Sequence, residues 1–285
     1  MKLELCNITH HYGDIKALDQ VSFTFTPGIY ALLGPNGAGK STMMKLITMN
    51  LVPSSGEILL DGINITNLGK DYRTLIGYMP QHQGLYDEFR ADRFLAYMGA
   101  LKGIRKKDID EEITRVLALV NLSNCRTRKI GSFSGGMKQR LLIAQAIMND
   151  PNIIILDEPT AGLDPKERIN IRNIVSQIAK DKIVLFATHV VSDIEHIAKE
   201  IIMLKKGNII VSDTVHNLCK SLDGKVFELL LDESTQLNSN WIISQLMVRG
   251  NGTFARIMGT KPNDAVEVPA SLEDVYLSLF RDEDR

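Results

Sequence analysis

The chain has 285 residues, of which 44% are hydrophobic, so it is long and apolar enough for one large domain or for a main domain with an appendage. Its 33 Lys and Arg residues balance 34 Asp and Glu residues without a long run of either sign, so the charges indicate neither a nucleic-acid-binding stripe nor a polybasic membrane anchor and do not identify a partner. Three widely spaced cysteines give neither a disulfide framework nor a zinc pattern and favour a reducing cytosol, and no stretch approaches the ~18 continuous apolar residues of a membrane-spanning helix.

The first 25 residues predict an antiparallel sheet. Residues 2–9 and 21–25 alternate apolar and polar side chains, as half-buried strands do. Tyr12 lies between them, and its ring can stack on a nucleobase, since every base has a π-face. Taken alone, a tyrosine at this place is more often a surface aromatic in a hairpin turn. We therefore expect an N-terminal antiparallel β subdomain with one candidate base contact.

Residues 29–42, IYALLGPNGAGKST, carry the strongest functional pattern. A short apolar run predicts a buried strand, the next residues match G-x-x-x-x-G-K-[ST], and a helix-forming stretch follows, which is the context that a P-loop requires. Its glycines let successive backbone N–H groups converge on phosphates at the start of a helix. Lys40 is expected to reach the β- and γ-phosphates and Ser41 to bind Mg²⁺. The predicted nucleotide-binding residues of this loop are Gly34, Pro35, Asn36, Gly37, Ala38, Gly39, Lys40, Ser41 and Thr42.

A helical region follows this segment. Residues 75–79 predict another short strand, and Gln81 is the first polar side chain beyond it. From about residue 85 to 148, apolar residues recur at helical spacing, which predicts a helical insert. Its last helix starts at SGG, residues 134–136, where Ser134 is a candidate N-cap and the open N–H groups offer a second anion site. Read alone, this tripeptide is more often only a turn and a cap.

Two adjacent carboxylates, Asp157 and Glu158, end the apolar run of residues 153–156, which predicts a buried strand. Beside a P-loop, Asp157 is the candidate for the Mg²⁺ shell; without one, a solvated acidic strand end would be the alternative. Because successive strand residues point to opposite faces, we expect Glu158 to have a different role and to face an attacking water. His189 follows the predicted strand at 183–187 and emerges at the same sheet edge, although a lone histidine there is usually structural.

The order of these motifs closely resembles the ATP-binding cassette (ABC) family over about residues 1–215. The seven elements that carry the resemblance are Tyr12, the Walker A segment 34–42, the Gln81 loop, the signature SFSGGMKQR at 132–140, the Walker B pair Asp157 and Glu158, the loop ending at Asp164, and His189. The signature has Phe133 and Met137 where the family usually has Leu and Gln. Ser134 and both glycines are kept.

This resemblance implies that the ligands are ATP and Mg²⁺ and that two copies pair head to tail as a homodimer. Each ATP would lie between the P-loop of one copy and Ser134, Gly135 and Gly136 of the other. The implied roles are adenine stacking by Tyr12, phosphate and Mg²⁺ contacts by Lys40 and Ser41, sensing of Mg²⁺ and the lytic water by Gln81, metal holding by Asp157, general-base catalysis by Glu158, γ-phosphate contact by His189, and linkage of the two sites by Asp164.

Residues 216–285 fall outside the cassette and predict a small α/β appendage. Residues 226–231 predict a strand, residues 248–258 a hairpin turning at Asn251-Gly252, and SLED at 271–274 the capped start of a helix. This tail, together with the GMKQR of the signature, resembles ATPase subunits of bacterial exporters for drugs, peptide antibiotics or bacteriocins.

We therefore expect an α/β protein with a P-loop NTPase core, in which an ATPase domain at 1–215 includes the N-terminal β subdomain and a helical subdomain at about 85–150, followed by the appendage at 216–285. The expected function is the ATP-binding subunit of an ABC transporter that hydrolyses ATP to drive export. It would be cytoplasmic and peripheral on the inner face of the cell membrane, docked to a separate permease near residues 81–93, with no nucleic-acid partner.

Two alternatives within the same family are ATPases that do not drive transport. A chromosome-maintenance or repair ATPase needs a long heptad insert between Walker A and the signature, and the sequence has no sustained heptads there. A translation factor of the family usually carries two cassettes in one chain, and this sequence has one.

Overall fold

The computed structural model describes residues 1–82, 84–231, 241–250, 252–262 and 264–281. They fall into two compact units, Met1–Ser212 and Asp213–Arg285. The elements up to residue 213 are, in chain order, β1 (Leu3–Tyr12), β2 (Ile15–Phe25), β3 (Gly28–Leu33), α1 (Lys40–Ile47), β4 (Ser55–Leu60), β5 (Ile63–Asn64), α2 (Ile65–Leu68), α3 (Lys70–Thr74), β6 (Ile76–Met79), α4 (Ala91–Leu101), α5 (Ile109–Leu119), α6 (Gly135–Ala146), β7 (Ile153–Asp157), α7 (Pro165–Ile178), β8 (Ile183–Ala187), β9 (Glu200–Lys205) and β10 (Asn208–Asp213).

A six-stranded sheet in the order β10-β9-β3-β8-β7-β6 forms the centre of the first unit. The strands from β9 to β6 run parallel, and every residue of β7 and β8 is buried, as expected for apolar strands covered on both faces. The carboxyl ends of parallel strands share one edge. The glycine loop follows β3, Gln81 follows β6, Asp157 ends β7 and His189 follows β8, so the sheet carries these four predicted segments to the same edge.

The second sheet, in the order β2-β1-β4-β5, is antiparallel throughout and confirms the predicted N-terminal β subdomain. Its first hairpin is longer than alternation predicts, because β1 continues to Tyr12, which pairs with Ile15 of β2. Register shifts interrupt β1 at Ile8 and His10. Each shift changes which face the next side chain points to, so a strict period of two ends too early. Tyr12 thus closes a strand and does not lie in the turn.

The main apolar core lies between this sheet, the central sheet and α1. It includes Phe25, Tyr30 and Met43, each at most 1% exposed. The rings of Phe25 and Tyr30 meet edge to face with centroids 5.0 Å apart, a favoured aromatic geometry. Burying side chains of this size stabilises the fold by ~1.5–3 kcal/mol each. The glycine loop is therefore carried between a strand and a helix that are both anchored in the core.

The helical insert consists of α4, α5 and α6, which pack on one another. Their buried side chains occur at helical spacing, as predicted, with Phe94 and Leu95 in α4 and Val116 and Leu117 in α5. Leu101 belongs to the same apolar face by spacing but is 66% exposed, because α4 ends at this residue. None of the helices that the structure describes is long and apolar enough to cross a membrane.

The second unit contains an antiparallel sheet in the order β12-β13-β11-β14 and two helices. Its elements are α8 (Val215–Lys220), β11 (Val226–Leu231), β12 (Ile242–Arg249), β13 (Gly252–Met258), β14 (Val266–Glu267) and α9 (Leu272–Phe280). Ser271 and Asp274 form the predicted capping box of α9. Arg256 of β13 pairs with Asp274, Nη2 to Oδ2 2.7 Å, which ties this helix to its sheet.

The hairpin of the second unit differs from its prediction in two respects. Arg249 pairs with Gly252, so Gly252 belongs to β13 and the turn lies one residue earlier than expected. Asn251, the other predicted turn residue, lies outside the described residues. In addition, β12 begins at Ile242, well before residue 248. A register shift after Ile243 breaks the alternation that would have revealed the longer strand.

Candidate functional site

The glycine loop between β3 and α1 is closely packed against its neighbours. Gly34 has φ 150° and Gly39 has φ 111°, both in a region that side chains with a Cβ rarely adopt. A Cβ at Gly34 would lie 2.3 Å from the carbonyl oxygen of Leu204, and one at Gly39 would lie 2.7 Å from that of Ala17. These contacts explain why glycine is required at both positions.

The loop borders a cleft of about 470 Å³ at the carboxyl edge of the central sheet. Most of the predicted site residues line it. They are Tyr12, Asn36, Gly37, Ala38, Gly39, Lys40, Ser41, Thr42, Gln81, Asp157 and Glu158. The remaining loop residues, Gly34 and Pro35, contact the side chain of Lys40 through their carbonyl oxygens.

Four further residues line the cleft that sequence reasoning missed: Ile15, Lys16 and Ala17 at the start of β2, and Lys206 in the turn between β9 and β10. Ile15 is 70% exposed and pairs with Tyr12 across the hairpin, so it lies beside the predicted base contact. The Lys206-Gly207 pair between two apolar runs is a recognisable turn signal. Nothing in the sequence, however, indicates that this turn lies at the glycine loop.

Lys40 is folded back onto its own loop. Its ammonium donates hydrogen bonds to the carbonyl oxygens of Gly34 and Pro35, the latter at 3.0 Å. Burial lowers the pKa of Lys40, while the charges of Glu158 and Asp157 act in the opposite direction. A phosphate entering the loop offers a charged acceptor, which forms stronger hydrogen bonds than neutral carbonyls. The Lys40 ammonium is therefore held where a bound phosphate can replace the two carbonyl oxygens as its hydrogen-bond acceptor.

Ser41 and Asp157 bring two oxygen donors together at the start of α1. The Ser41 hydroxyl lies 3.5 Å from Asp157 Oδ2. Burial raises the pKa of Asp157, and the nearby charge of Glu158 raises it further, whereas Lys40 and Ser41 lower it. A divalent cation would relieve the repulsion between the two carboxylates, and hard oxygen donors suit Mg²⁺. No cluster of three or more His, Cys, Asp or Glu residues within the described ranges could hold a metal, so such a cation would also need oxygens from phosphate and water.

Glu158 contacts His189 at the same edge. The Nδ1 atom of His189 lies 3.0 Å from each carboxylate oxygen of Glu158. Glu158 has φ 53°, a left-handed conformation that costs a residue with a Cβ about 1 kcal/mol. The chain thus leaves the strand at Glu158, and both carboxylates line the same cleft, contrary to the expectation that they face opposite ways. They still have different partners, since Asp157 contacts Ser41.

The signature segment and Asp164 occupy helix starts away from the cleft. Ser134 is the N-cap of α6, as predicted, and its Oγ accepts a hydrogen bond from Met137 N at 3.2 Å. Asp164 is the N-cap of α7 and accepts from Glu167 N at 2.9 Å. The two helix starts are close, because a Cβ at Gly136 would lie 2.5 Å from Glu167 Oε2. Among the predicted site residues, Ser134, Gly135, Gly136 and Asp164 do not line the cleft within this chain, and His189 does not line it either but contacts Glu158, which does.

A glycine loop, two carboxylates and a histidine thus meet at the carboxyl edge of a parallel sheet. In open α/β sheets this edge is where ligands bind. A strand, a glycine loop and a helix in this order are the arrangement that binds phosphate in P-loop proteins, and here they border a cleft of about 470 Å³. Fold and site together define the chain as a P-loop nucleotide-binding protein.

Comparison with known proteins shows which family of P-loop nucleotide-binding proteins this chain resembles. The ABC transporter family model matches residues 18–161. An uncharacterized ABC transporter ATP-binding protein of Bacillus subtilis (strain 168) is 37% identical over 81% of this chain and 76% of its own length. The Nod factor export ATP-binding protein I of Rhizobium meliloti (strain 1021) is 31% identical over 97% of this chain and 87% of its own length. A solved dimeric ATP-binding cassette in a post-hydrolysis state, bound to ADP and Pi, matches 74% of this chain and 98% of its own with a TM-score of 0.66 and 27% identity.

The chain belongs to the ABC transporter family, as an ATP-binding subunit. The resemblance to the ATP-binding cassette family, inferred from the motif order, is confirmed, and so is the predicted α/β P-loop fold. Members of this family bind and hydrolyse ATP. What each of the predicted site residues does in this chain stays a prediction, and the experiments below address it.

We expect Lys40→Ala to bind ATP about ten- to hundredfold more weakly than the wild type, because it loses a charge-assisted contact worth ~1.5–3 kcal/mol. Calorimetric titration with ATP measures the loss. Lys70→Ala is the control, since Lys70 is exposed on α3 and does not line the cleft. Equal affinities for the wild type and Lys40→Ala would remove Lys40 from the phosphate site.

Proposed function

We propose that this chain hydrolyses ATP in a head-to-tail pair of copies and thereby drives export through a separate membrane subunit. One observation carries the proposal. The phosphate-binding loop and both carboxylates line the cleft, whereas the signature residues Ser134, Gly135 and Gly136 lie at a helix start outside it. One copy therefore presents the P-loop half of a nucleotide site in one place and the signature half in another. A second copy would complete each site.

Within each site, the adenine would stack on Tyr12, which is 44% exposed at the cleft. The ring of Tyr12 is supported from behind by His10, with centroids 4.8 Å apart in an edge-to-face arrangement. The phosphates would lie on the backbone N–H groups of the glycine loop, with Lys40 transferring its hydrogen bonds from the loop carbonyls to them. These contacts would hold the nucleotide with its γ-phosphate toward the carboxylates.

Mg²⁺ is the metal that the donor set fits best. Ser41 and Asp157 would hold it, with Gln81 beside them in the cleft lining. When bound, Mg²⁺ neutralises charge on the phosphates and orients them. Glu158 would take the proton of the attacking water, and His189, whose Nδ1 contacts the Glu158 carboxylate in this structure, would contact the γ-phosphate when ATP is bound.

Two relatives support pairing and export. A related cassette forms a dimer that holds ADP and Pi, and it aligns with 74% of this chain. The Nod factor export protein aligns with 97% of this chain, including the region that follows the cassette. The helices of the insert are 11 or 12 residues long, too short for the heptad insert of a chromosome-maintenance ATPase. We therefore favour transport over that alternative.

An aromatic cluster on the helical insert is the proposed docking surface for the membrane subunit. It consists of Tyr86, Phe89 and Tyr97, with ring centroids 5.0 Å apart between the first two and 6.2 Å apart between Tyr86 and Tyr97. The Arg93 guanidinium lies 4.7 Å from the Phe89 ring centroid. Tyr86 and Tyr97 are 50% and 46% exposed, and exposed aromatics beside arginine are typical of interface centres. The cluster overlaps the predicted docking segment 81–93, of which Gln83 lies outside the described residues.

We expect Tyr86→Glu to separate ATP hydrolysis from membrane attachment. A carboxylate in the aromatic cluster would have to be desolvated on docking, so binding to membranes that contain the cognate permease should fall at least tenfold, while the ATPase activity of the purified chain stays near wild type. Sedimentation with permease-containing and permease-free vesicles measures attachment. Ile63→Glu is the matched control, because Ile63 is 51% exposed on β5, in the antiparallel sheet. Wild-type attachment of Tyr86→Glu would exclude this docking surface.

A further inference from the structure

We propose that Arg168 is a positioning residue, which links the loop ending at Asp164 to the segment that carries His189 and so sets the contact between His189 and Glu158. The inference rests on the proposed function, because it concerns how the second copy acts on hydrolysis. Arg168 is the fourth residue of α7, one turn after the Asp164 N-cap. Arg168 does not line the cleft and is not one of the predicted ligand-binding residues.

The guanidinium of Arg168 spans two loops. Its Nε donates a hydrogen bond to the carbonyl oxygen of Leu163 at 3.1 Å, immediately before Asp164. Its Nη1 lies 3.9 Å from Oδ2 of Asp193, four residues after His189 in the chain. A planar guanidinium offers donors in fixed directions, so it can hold two partners at once, whereas an ammonium acts as a point charge. Arg168 is therefore suited to bridging.

The Asp193 carboxylate forms an ion pair with Arg168 that is too long for a hydrogen bond. The Asp193 side chain is only 2% exposed, and Oδ2 makes no hydrogen bond to any described residue. A buried carboxylate without a counter-charge is costly, which makes the Arg168 guanidinium its compensating partner. Arg172, one turn further along α7, makes a different contact. Its Nη1 donates to the carbonyl oxygen of Ser192 at 2.6 Å and reaches the same segment without touching the Asp164 loop.

The segment after β8 connects Asp193 to His189 through short-range hydrogen bonds. Asp193 N donates to the carbonyl oxygen of Val190 at 3.1 Å. Val190 N in turn donates to Thr188 Oγ1 at 3.0 Å. His189 lies between Thr188 and Val190, which this last hydrogen bond joins. A displacement of Asp193 is therefore passed to the backbone that orients the His189 ring.

The loop after β7 connects Glu158 to the other end of the bridge. Ala161 N donates to the carbonyl oxygen of Glu158 at 3.2 Å, and Leu163 N donates to that of Thr160 at 3.3 Å. Arg168 then joins Leu163 to Asp193. The path closes at the contact of His189 Nδ1 with the Glu158 carboxylate, 3.0 Å long. The contacts of Arg168 thus connect the two loops into a ring of contacts. This ring, called the circuit below, begins at Glu158, the proposed base, and returns to it through His189.

This circuit gives the second copy a way to act on hydrolysis. If Asp164 meets the other copy when the pair closes, any shift of its loop pulls on Leu163 and, through Arg168, on Asp193. The contact between His189 and Glu158 then changes together with the loop. A misplacement of catalytic groups by about 1 Å costs on the order of 10²-fold in rate, so even a small shift matters.

The test compares Arg168→Gln, Arg168→Lys and Arg172→Gln with the wild type. Steady-state ATP hydrolysis gives kcat, KM and the Hill coefficient, and calorimetry gives ATP affinity. We expect Arg168→Gln to lower kcat by about tenfold or more and to bring the Hill coefficient toward 1, with ATP affinity within about twofold of wild type. Arg168→Lys keeps a charge for Asp193 but cannot hold Leu163 at the same time, so it should recover stability and only part of kcat. Arg172→Gln should hydrolyse ATP almost normally.

Several outcomes would overturn the inference. Wild-type kcat and Hill coefficient in Arg168→Gln would do so, as would an equal loss in Arg172→Gln. If Arg168→Gln does not fold, thermal unfolding shows it, and Arg168→Lys then tests the inference. Wild-type kcat in Arg168→Lys would mean that Asp193 needs only a positive charge beside it, and would overturn the bridging role of Arg168. A wild-type chain that neither hydrolyses ATP nor pairs would overturn the proposed function, and this inference with it. A wild-type chain that does both beside an unaffected Arg168→Gln would overturn only the inference.

Discussion

Glu158→Gln should bind ATP and form a long-lived pair of copies, yet hydrolyse ATP about 10²- to 10⁴-fold more slowly than the wild type, a barrier increase of roughly 3–5 kcal/mol. Glutamine keeps the size of the side chain and an oxygen that can accept from His189 Nδ1, which lies 3.0 Å away in the wild type. It cannot take a proton from water. In the proposed cycle, hydrolysis separates the pair, so without hydrolysis the closed pair should accumulate.

Asp157→Asn should behave differently, although Asp157 and Glu158 are neighbours at the same cleft. Asp157 contacts Ser41 and would hold Mg²⁺, so its replacement should weaken productive ATP binding as well as hydrolysis. Turnover, ATP affinity and the lifetime of the ATP-dependent pair are measured for both variants side by side, with and without Mg²⁺. Near-normal turnover in Glu158→Gln would remove it as the base, and His189 or Gln81 would become the candidates.

Ser134→Arg should abolish ATP-dependent pairing while leaving ATP binding by the single chain intact. Ser134 lies outside the cleft that holds the P-loop, so its replacement does not touch the nucleotide contacts of its own copy. In the pair, the arginine would occupy the place where the γ-phosphate of the other copy approaches the start of α6. Loss of the cap itself costs about 1 kcal/mol, a modest effect on the stability of the fold.

Gel filtration with ATP and Mg²⁺ measures this effect in the Glu158→Gln background, in which hydrolysis does not separate the pair. Thr214→Arg is the matched control. Thr214 is an exposed N-cap like Ser134, and its side chain accepts from Asn217 N at 3.2 Å, but it caps α8 in the second unit. Both variants lose a helix cap, and only Ser134→Arg should fail to pair. If both form the pair with ATP, the shared-site model is wrong.

Much of the fold follows from local patterns. The strands β7 and β8 are short apolar runs, and their observed bounds, Ile153–Asp157 and Ile183–Ala187, agree with the prediction. The caps of α6 and α9 were also predictable, because Ser134 and Ser271 each bond to a backbone N–H three residues later. Such features depend on a few consecutive residues, so the sequence contains all the information that specifies them.

The longer strands were not predictable to the same extent. In β1 and β12, register shifts change side-chain parity, and a period of two no longer marks where the strand ends. Whether a shift occurs depends on the partner strand and on the core beneath it. The orientation of Glu158 is a similar case, since its φ of 53° turns it into the cleft beside Asp157, against the alternation of the strand.

By itself, the sequence determined the phosphate-binding loop, the carboxylate pair and the order of motifs that defines the family. The loop and the carboxylate pair are each formed by a few adjacent residues, and the spacing within the loop is set by the phosphates that such loops bind. Only the tertiary structure decided that Ile15 and Lys206 line the cleft and that Arg168 contacts two loops through Leu163 and Asp193. Those relations link residues far apart in the chain or on separate elements, and the packing of the sheets and helices, not spacing along the sequence, sets the distances between them.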